Sequence, residues 1–319
     1  MNKKPFVIFL VGPTGVGKSA VAMEVAKKVR GEIISADSMQ VYQQMDIGTG
    51  KPSKSDLRKI PHHLISVIPP ARNFSVFQYR SRAIRTIKDV LKRGRVPVMV
   101  GGSGLYVRSL LEGLSEQPAG NRAIRLRLER EIKEKGLLVL YERLCELDAR
   151  AAAKIKPQDA RRIIRALERI ELSGQRLTDG IHHQKSLSEL GFNPVVFGII
   201  RERSELYRRI EARVDQMFRR GWAAEVRAFI KGRISRTASQ ALGYREIQKV
   251  LRESAHKNLS SQDLEMVKSL IKQNTRRFAK RQITWFKREK GIQWICWEPN
   301  ESVKQICDKI LAGSPFYAS

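Results

Sequence analysis

The chain has 319 residues, with 61 Lys and Arg against 32 Asp and Glu, so its formal net charge is +29. That length predicts two domains, and a hydrophobic fraction of 42% is enough for a real core. No apolar run reaches the roughly 18 residues of a membrane span and no signal peptide opens the sequence, which argues against membrane and secreted classes and for the cytoplasm. In chain order, Val7 to Val11 is a short apolar, β-rich run, which predicts a buried parallel strand. Gly12-Pro13-Thr14-Gly15-Val16-Gly17-Lys18-Ser19 follows and forms a complete P-loop. Its glycines let the backbone approach phosphate oxygens, Lys18 brings a positive charge, and the Ser19 hydroxyl can reach a bound Mg²⁺. Ala20 to Val29 reads as a helix whose N-terminus favours an anion.

Ile33 to Tyr42 places Asp37 just past a second apolar run, at a strand end where P-loop folds do their chemistry. Asp46 to Pro52 reads as a loop, and residues 75–94 as an amphipathic helix feeding the strand Val96 to Val100. That strand ends in Gly101-Gly102-Ser103-Gly104-Leu105-Tyr106, with no carboxylate. A P-loop ATPase usually carries a second acid there, and no guanine-reading Asn-Lys-x-Asp sequence occurs, so an energy-transducing NTPase is disfavoured. A P-loop transferase or a small-molecule kinase remains.

From about Glu116 to Asn193 the pattern turns helical and highly charged, which predicts a helical insertion, residues 116–194, into an α/β core of residues 1–115 and 195–319. Val195 to Ile200 returns the chain to a P-loop NTPase-like parallel sheet with flanking helices. Helices are predicted at about 204–231, 239–254 and 262–288, then a late strand at 292–297. Cys145, Cys296 and Cys307 lie far apart with no Cys-x-x-Cys spacing and read as buried free thiols in a reducing compartment. His62-His63 and His182-His183 lack acidic or cysteine partners at metal-site spacing and read as solvated or capping residues.

The positive charge concentrates in the first 115 residues and in residues 201–290, where 24 basic side chains face 10 acidic ones. A small-molecule kinase has no need of such a field, whereas a polyanion does. Lys272 to Lys290 holds Arg276, Arg277, Lys280, Arg281, Lys287 and Arg288 against Glu289 alone. On a helix, Ile271, Phe278 and Trp285 share one face as a docking seam, and Arg277, Arg281 and Arg288 form a stripe suited to a phosphate backbone.

Taken in order, several motifs resemble one family. They are the P-loop, Ser35-Ala36-Asp37-Ser38-x-Gln40-Val41-Tyr42, the Gly101 to Tyr106 run, Arg162-x-x-Arg165-Ala166-Leu167-Glu168, Gly243-Tyr244-Arg245-Glu246, and Thr275-Arg276-Arg277-x-Ala279-Lys280-Arg281-Gln282-x-Thr284-Trp285-Phe286. The combination is similar to the bacterial-type tRNA dimethylallyltransferases over nearly the whole chain. Ser103 stands where the family usually has threonine and Gln158 where it often has asparagine, and both keep a polar side chain.

The resemblance implies a prenyl transferase. Its donor would be dimethylallyl diphosphate, and its acceptor N6 of the adenosine 3′ of the anticodon, in tRNAs that read codons beginning with U. The P-loop, Gly12 to Ser19, would grip the diphosphate, with Mg²⁺ at Ser19. Asp37 would take the amine proton and Thr14 would bond the bridging oxygen. The tRNA anticodon arm would meet Asp37, Ser38, Met39, Gln40, Ser103, Arg125, Arg161, Arg162, Ile163, Ile164, Arg165, and Gln240 to Arg245 with Gly243 and Tyr244 among them. Gln40 would read adenine through its amide. With the basic stripe at Arg277, Lys280 and Arg281, that makes tRNA the macromolecular partner, and nothing in the sequence demands more than a monomer. A small-molecule kinase would leave the basic half unexplained, and a noncatalytic RNA-binding protein would leave Asp37 and Lys18-Ser19 unexplained.

Overall fold

The computed structural model describes residues 4–115, 120–179, 183–230, 232–253 and 260–314. The strands are β1 (Phe6–Val11), β2 (Gly31–Ser35), β3 (His62–His63), β4 (Val96–Gly101), β5 (Leu114–Ser115), β6 (His183–Gln184), β7 (Asn193–Ile200) and β8 (Ile292–Cys296). The helices are α1 (Lys18–Lys28), α2 (Lys54–Lys59), α3 (Val76–Lys92), α4 (Gly104–Leu111), α5 (Arg122–Lys135), α6 (Leu137–Leu147) and α7 (Ala149–Ala152). They continue with α8 (Ala160–Ser173), α9 (Arg203–Arg219), α10 (Trp222–Ile230), α11 (Tyr244–Glu253), α12 (Ser261–Phe286) and α13 (Val303–Ala312).

The chain divides into two compact units, Met1–Glu112 with Ser186–Ser319, and Gly113–Lys185. The limits expected from the sequence fall near 116 and 194, and residues 116–119 lie outside the described part.

In the larger unit six strands lie in the order β3-β2-β4-β1-β7-β8, and every pairing is parallel. Alternation along β1 explains why both faces are covered. Val7, Phe9 and Val11 enter one core, and Ile8 and Leu10 the other. The first core is built with side chains of α3, α4, α10 and α11, the second with those of α1, α9 and α13. The helix expected at 204–231 is two helices. Gly221, at φ 92°, reverses the chain between α9 and α10 and sends Trp222 into the core. The helix expected from 239 begins at Tyr244, because Gly243, at φ 87°, turns the chain after a short 3₁₀ segment at Ala238–Gln240. Residues 231 and 254, the expected ends of those helices, lie outside the described part.

The smaller unit packs α5, α6 and α8 on Leu128, Leu140, Leu144, Ile163 and Leu167, and β5 pairs antiparallel with β6. Asp148 pins its α8-to-β6 connection by accepting from the amide and the hydroxyl of Thr178.

Two side-chain expectations need correction. Of the cysteines only Cys307 is buried, while Cys145 is half-buried and Cys296 exposed. His63 neither caps nor lies free in solvent. Its Nε2 meets the Glu32 carboxylate at 2.6 Å, and Arg93 Nη2 donates to the same oxygen at 2.6 Å. His182 and the His183 side chain lie outside the described residues.

Candidate active site

The P-loop leaves β1 and enters α1. Gly12 has φ 144°, and a Cβ there would come 2.4 Å from the Ile199 carbonyl oxygen. Gly17, at φ 107°, begins α1 with no side-chain cap, and a Cβ would strike the Trp297 ring at 2.7 Å. Both positions therefore need glycine. The loop's carbonyls are tied back by cations. Lys18 Nζ donates to Gly12 O at 2.8 Å and Pro13 O at 2.7 Å, Arg209 Nε to Gly15 O at 3.1 Å, and Arg201 Nε to Val16 O at 3.0 Å. The amides of Gly15, Gly17, Lys18 and Ser19 have no acceptor among the described residues. Such a cradle, at an uncapped helix N-terminus, fits an anion with two phosphates.

Its electrostatics agree. Burial, and then the Arg213 guanidinium, push the Lys18 ammonium down to about 7, with Asp37 opposing. Burial also lowers Arg213, again against Asp37. A site that crowds two cations is relieved by an anionic ligand.

Asp37 sits past the end of β2. Its Oδ1 accepts from the amides of Met39 at 2.8 Å and Gln40 at 3.3 Å, which fixes the carboxylate, while Oδ2 has no partner among the described residues. The same oxygen thus caps the turn as the other one stays available. Ser103 Oγ accepts from the Ser38 amide at 2.9 Å and lies 3.2 Å from Ser38 Oγ, tying the loop after β4 to the Asp37 loop. Tyr79 and Tyr106 stack at 3.8 Å between centroids. Burial raises both hydroxyls, with Asp37 adding to the shift.

Mg²⁺ fits here through the Ser19 hydroxyl, which is exposed beside the free amides and makes no hydrogen bond among the described residues. Phosphate oxygens and water would complete its shell.

Several residues expected at the tRNA are engaged elsewhere. Gln40 gives its amide hydrogens to Thr49 O at 3.3 Å and Gly50 O at 3.2 Å and accepts from Ser35 Oγ at 3.0 Å, so it braces a loop and does not present a free amide to adenine. Tyr244 is buried, its hydroxyl 2.5 Å from Glu225, and Gly243 is pressed on Trp222, so the outward face of that segment belongs to Gln240 and Arg245. Met39 packs against the core.

In the smaller unit Ile163 and Ile164 are core residues, because the α8 periodicity turns them inward. Arg125 and Arg165 both bind the fully buried Glu168, at 2.8 and 2.6 Å, and Arg162 lies 3.4 Å from Asp159. Arg161 is exposed and has no partner among the described residues.

On α12, Lys272 pairs with Asp215 at 2.8 Å and Arg276 pairs with Glu211. Arg277, Lys280 and Arg281 are exposed with no acidic partner among the described residues. The inward seam is Val267, Ile271, Ala279, Gln282 and Phe286. Phe278 is therefore exposed, with the Arg281 guanidinium 5.8 Å from its ring centroid.

Four further residues shape the site. Arg213 lies against Gly50, where a Cβ would meet its Nη2 at 1.9 Å. The signal was present in the sequence, since Arg213 falls on the seam of Leu206, Ile210 and Met217. Arg201 and Arg209 hold the P-loop, and Gln282 joins it to the loop after β4.

A family model described as IPP transferase matches residues 40–289. The tRNA dimethylallyltransferase of Geobacter metallireducens is 42% identical over 297 residues, 92% of this chain and 93% of that one. That of Pelotomaculum thermopropionicum is 41% identical over 314 residues, 97% of this chain and 96% of that one. The crystal structure of a tRNA isopentenylpyrophosphate transferase from Bacillus halodurans matches at a TM-score of 0.69 and 35% identity, across 97% of this chain and 96% of that one. A eukaryotic dimethylallyltransferase acting on tRNA, 24% identical, shares the fold at a TM-score of 0.75, over 98% of this chain and 80% of its own.

Proposed function

The chain belongs to the IPP transferase family, and from that membership we propose how its residues carry the reaction. The enzyme is a prenyl transferase that moves a dimethylallyl group from dimethylallyl diphosphate to N6 of the adenosine 3′ of the anticodon in tRNA. The observation that carries the residue roles is the Asp37 carboxylate, held by two amides through Oδ1 and without a partner at Oδ2 among the described residues, with Lys18 and Arg213 in its electrostatic reach.

The diphosphate binds the amides of Gly15, Gly17, Lys18 and Ser19, with the Lys18 and Arg213 side chains supplying charge. Ser19 would hold Mg²⁺, and the ion would supply positive charge against which the diphosphate departs. The N6 lone pair attacks C1 of the allyl group, the C1–O bond breaks, and the electron pair leaves on the diphosphate. The N6 proton passes to Asp37 Oδ2. Such a base is typically worth roughly 10²–10⁴-fold in rate. Thr14 donates to the bridging oxygen as its charge grows, and the preorganised amides stabilise that charge without rearranging. The acceptor base leaves its stack to enter, at less cost in a loop than in a duplex. Arg277, Lys280, Arg281, Arg245 and Arg161 bind phosphates of the tRNA, and the protein works as a monomer in the cytoplasm.

The test uses purified protein, Mg²⁺, radiolabelled dimethylallyl diphosphate and unmodified tRNA. Label on the adenosine 3′ of the anticodon, lost in Asp37→Ala with tRNA affinity kept, is the expected result. Full turnover by Asp37→Ala would remove Asp37 as the base.

A further inference from the structure

Gln282 is a buried polar side chain of the larger unit, and it lies between the P-loop and the loop after β4. Its Oε1 accepts from the Thr14 amide at 2.9 Å, and its Nε2 donates to Gly102 O at 2.9 Å. An amide N–H can only donate and a carbonyl can only accept, so these two bonds fix which way the Gln282 amide points. The wedge is tight. A Cβ on Gly102 would lie 2.3 Å from Gln282 Nε2 and 3.2 Å from Gly12 O.

The consequence concerns how many phosphates the cradle accepts. Two phosphates take the amides nearest α1. A third would extend toward the strand side of the loop, where Thr14 supplies the next amide. That amide is already given to Gln282, and the group presented in its place, Oε1, is itself an acceptor. An anionic third phosphate meets a lost donor and a facing lone pair, whereas an uncharged allyl group in the same place asks for neither.

We propose that Gln282 sets the donor specificity of this P-loop, closing its third-phosphate end so that a diphosphate ester is taken and a nucleoside triphosphate is not. This rests on the reading that the P-loop holds the donor diphosphate.

The experiment is calorimetric binding of inorganic pyrophosphate and of tripolyphosphate, each with Mg²⁺, to the full chain and to Gln282→Ser and Gln282→Glu, with thermal unfolding as the check on folding. The wild type binds pyrophosphate more tightly than tripolyphosphate, despite the latter's greater charge. Gln282→Ser releases the Thr14 amide and shifts the ratio of dissociation constants toward tripolyphosphate by about tenfold, the scale of one hydrogen bond to a charged group. Gln282→Glu, of nearly the same size, shifts it the other way. Wild-type protein that binds tripolyphosphate as tightly as pyrophosphate overturns the proposal without any variant, as does an unchanged ratio in either folded variant. Binding of neither anion by the wild type would instead overturn the donor-site reading beneath it.

Discussion

Glu225 on α10 offers a quantitative test of how the site is held. Its carboxylate accepts from the amides of Asp46 at 2.9 Å, Ile47 at 2.7 Å and Gly48 at 3.1 Å, and from the Tyr244 hydroxyl at 2.5 Å. The loop it gathers supplies the Thr49 and Gly50 carbonyls that fix Gln40, and Gly50 lies against Arg213. Glu225→Ala leaves those donors unmatched. The Asp46 amide is open to water and recovers its bond there. The Ile47 and Gly48 amides and the Tyr244 hydroxyl make partly buried bonds, and at about 1 kcal/mol each, the low end for a buried donor left unmatched, they add up to a loss of about 3 kcal/mol. Tyr244→Phe removes a single bond to a charged acceptor and costs about 1.5–3 kcal/mol. Urea unfolding measures both through the midpoint at constant slope. In a double-mutant cycle the two losses fall short of additive, because they share the Tyr244–Glu225 bond. Turnover falls along with stability, since the loop no longer positions Arg213 and Gln40. A Glu225→Ala protein destabilised by less than about 1 kcal/mol would refute the claim that this carboxylate organises the loop.

Other expectations are separable from that one. Arg213→Ala weakens pyrophosphate binding and lowers turnover, and unchanged pyrophosphate affinity in calorimetry would remove it from the donor site. Replacing Arg277, Lys280 and Arg281 together by alanine reduces the log–log salt slope of tRNA binding by about one per side chain lost, for a total near three, and a slope left intact would place the backbone contacts elsewhere. Glu32 is held below its ordinary 4.5, first by the hydrogen bond from Arg93 and then, against its burial, by His63. A depressed carboxylate contributes stability above its unfolded value and loses it as the pH falls through the folded one. Glu32→Gln is therefore destabilising at pH 7, with a cost that shrinks as the pH falls below the ordinary carboxylate range, read from unfolding midpoints, and a cost independent of pH would contradict the pairing. Burial pushes the Cys307 thiol up to about 11, so at pH 8 iodoacetamide alkylates the exposed Cys296 well before Cys307. Equal labelling, followed by mass spectrometry, would contradict that order.

The features legible in the sequence were those with a local cause. The P-loop needs its glycines at 12 and 17 because the loop takes positive φ there, as the motif itself anticipates, and the apolar runs became β1, β4 and β7 with only their ends shifted. The illegible features depend on what a side chain meets across the fold. Gln40 looks like a reader of a base, and Tyr244 like a tRNA contact, until the 46–50 loop and Glu225 take up their polar atoms. Ile271, Phe278 and Trp285 are spaced by sevens and share a face, yet only Ile271 is buried, while Phe278 is exposed and Trp285 half-buried, because which part of a helical face is covered depends on what packs against it. Gly221 looked tolerable inside one long helix because nothing local shows that Trp222 must turn into the core.

Helix α12 carries two kinds of work on adjacent residues. Gln282 is clasped inside by Thr14 and Gly102, while Arg281 beside it faces solvent. Sliding the helix by one turn, about 5.4 Å, would tear the inner clasp and carry the outer cations with it. The helix thus acts as a fixed ruler. The spacing between the polyanion's resting place and the phosphate cradle is set in one rigid rod, so neither end can be retuned by drift without misplacing the other.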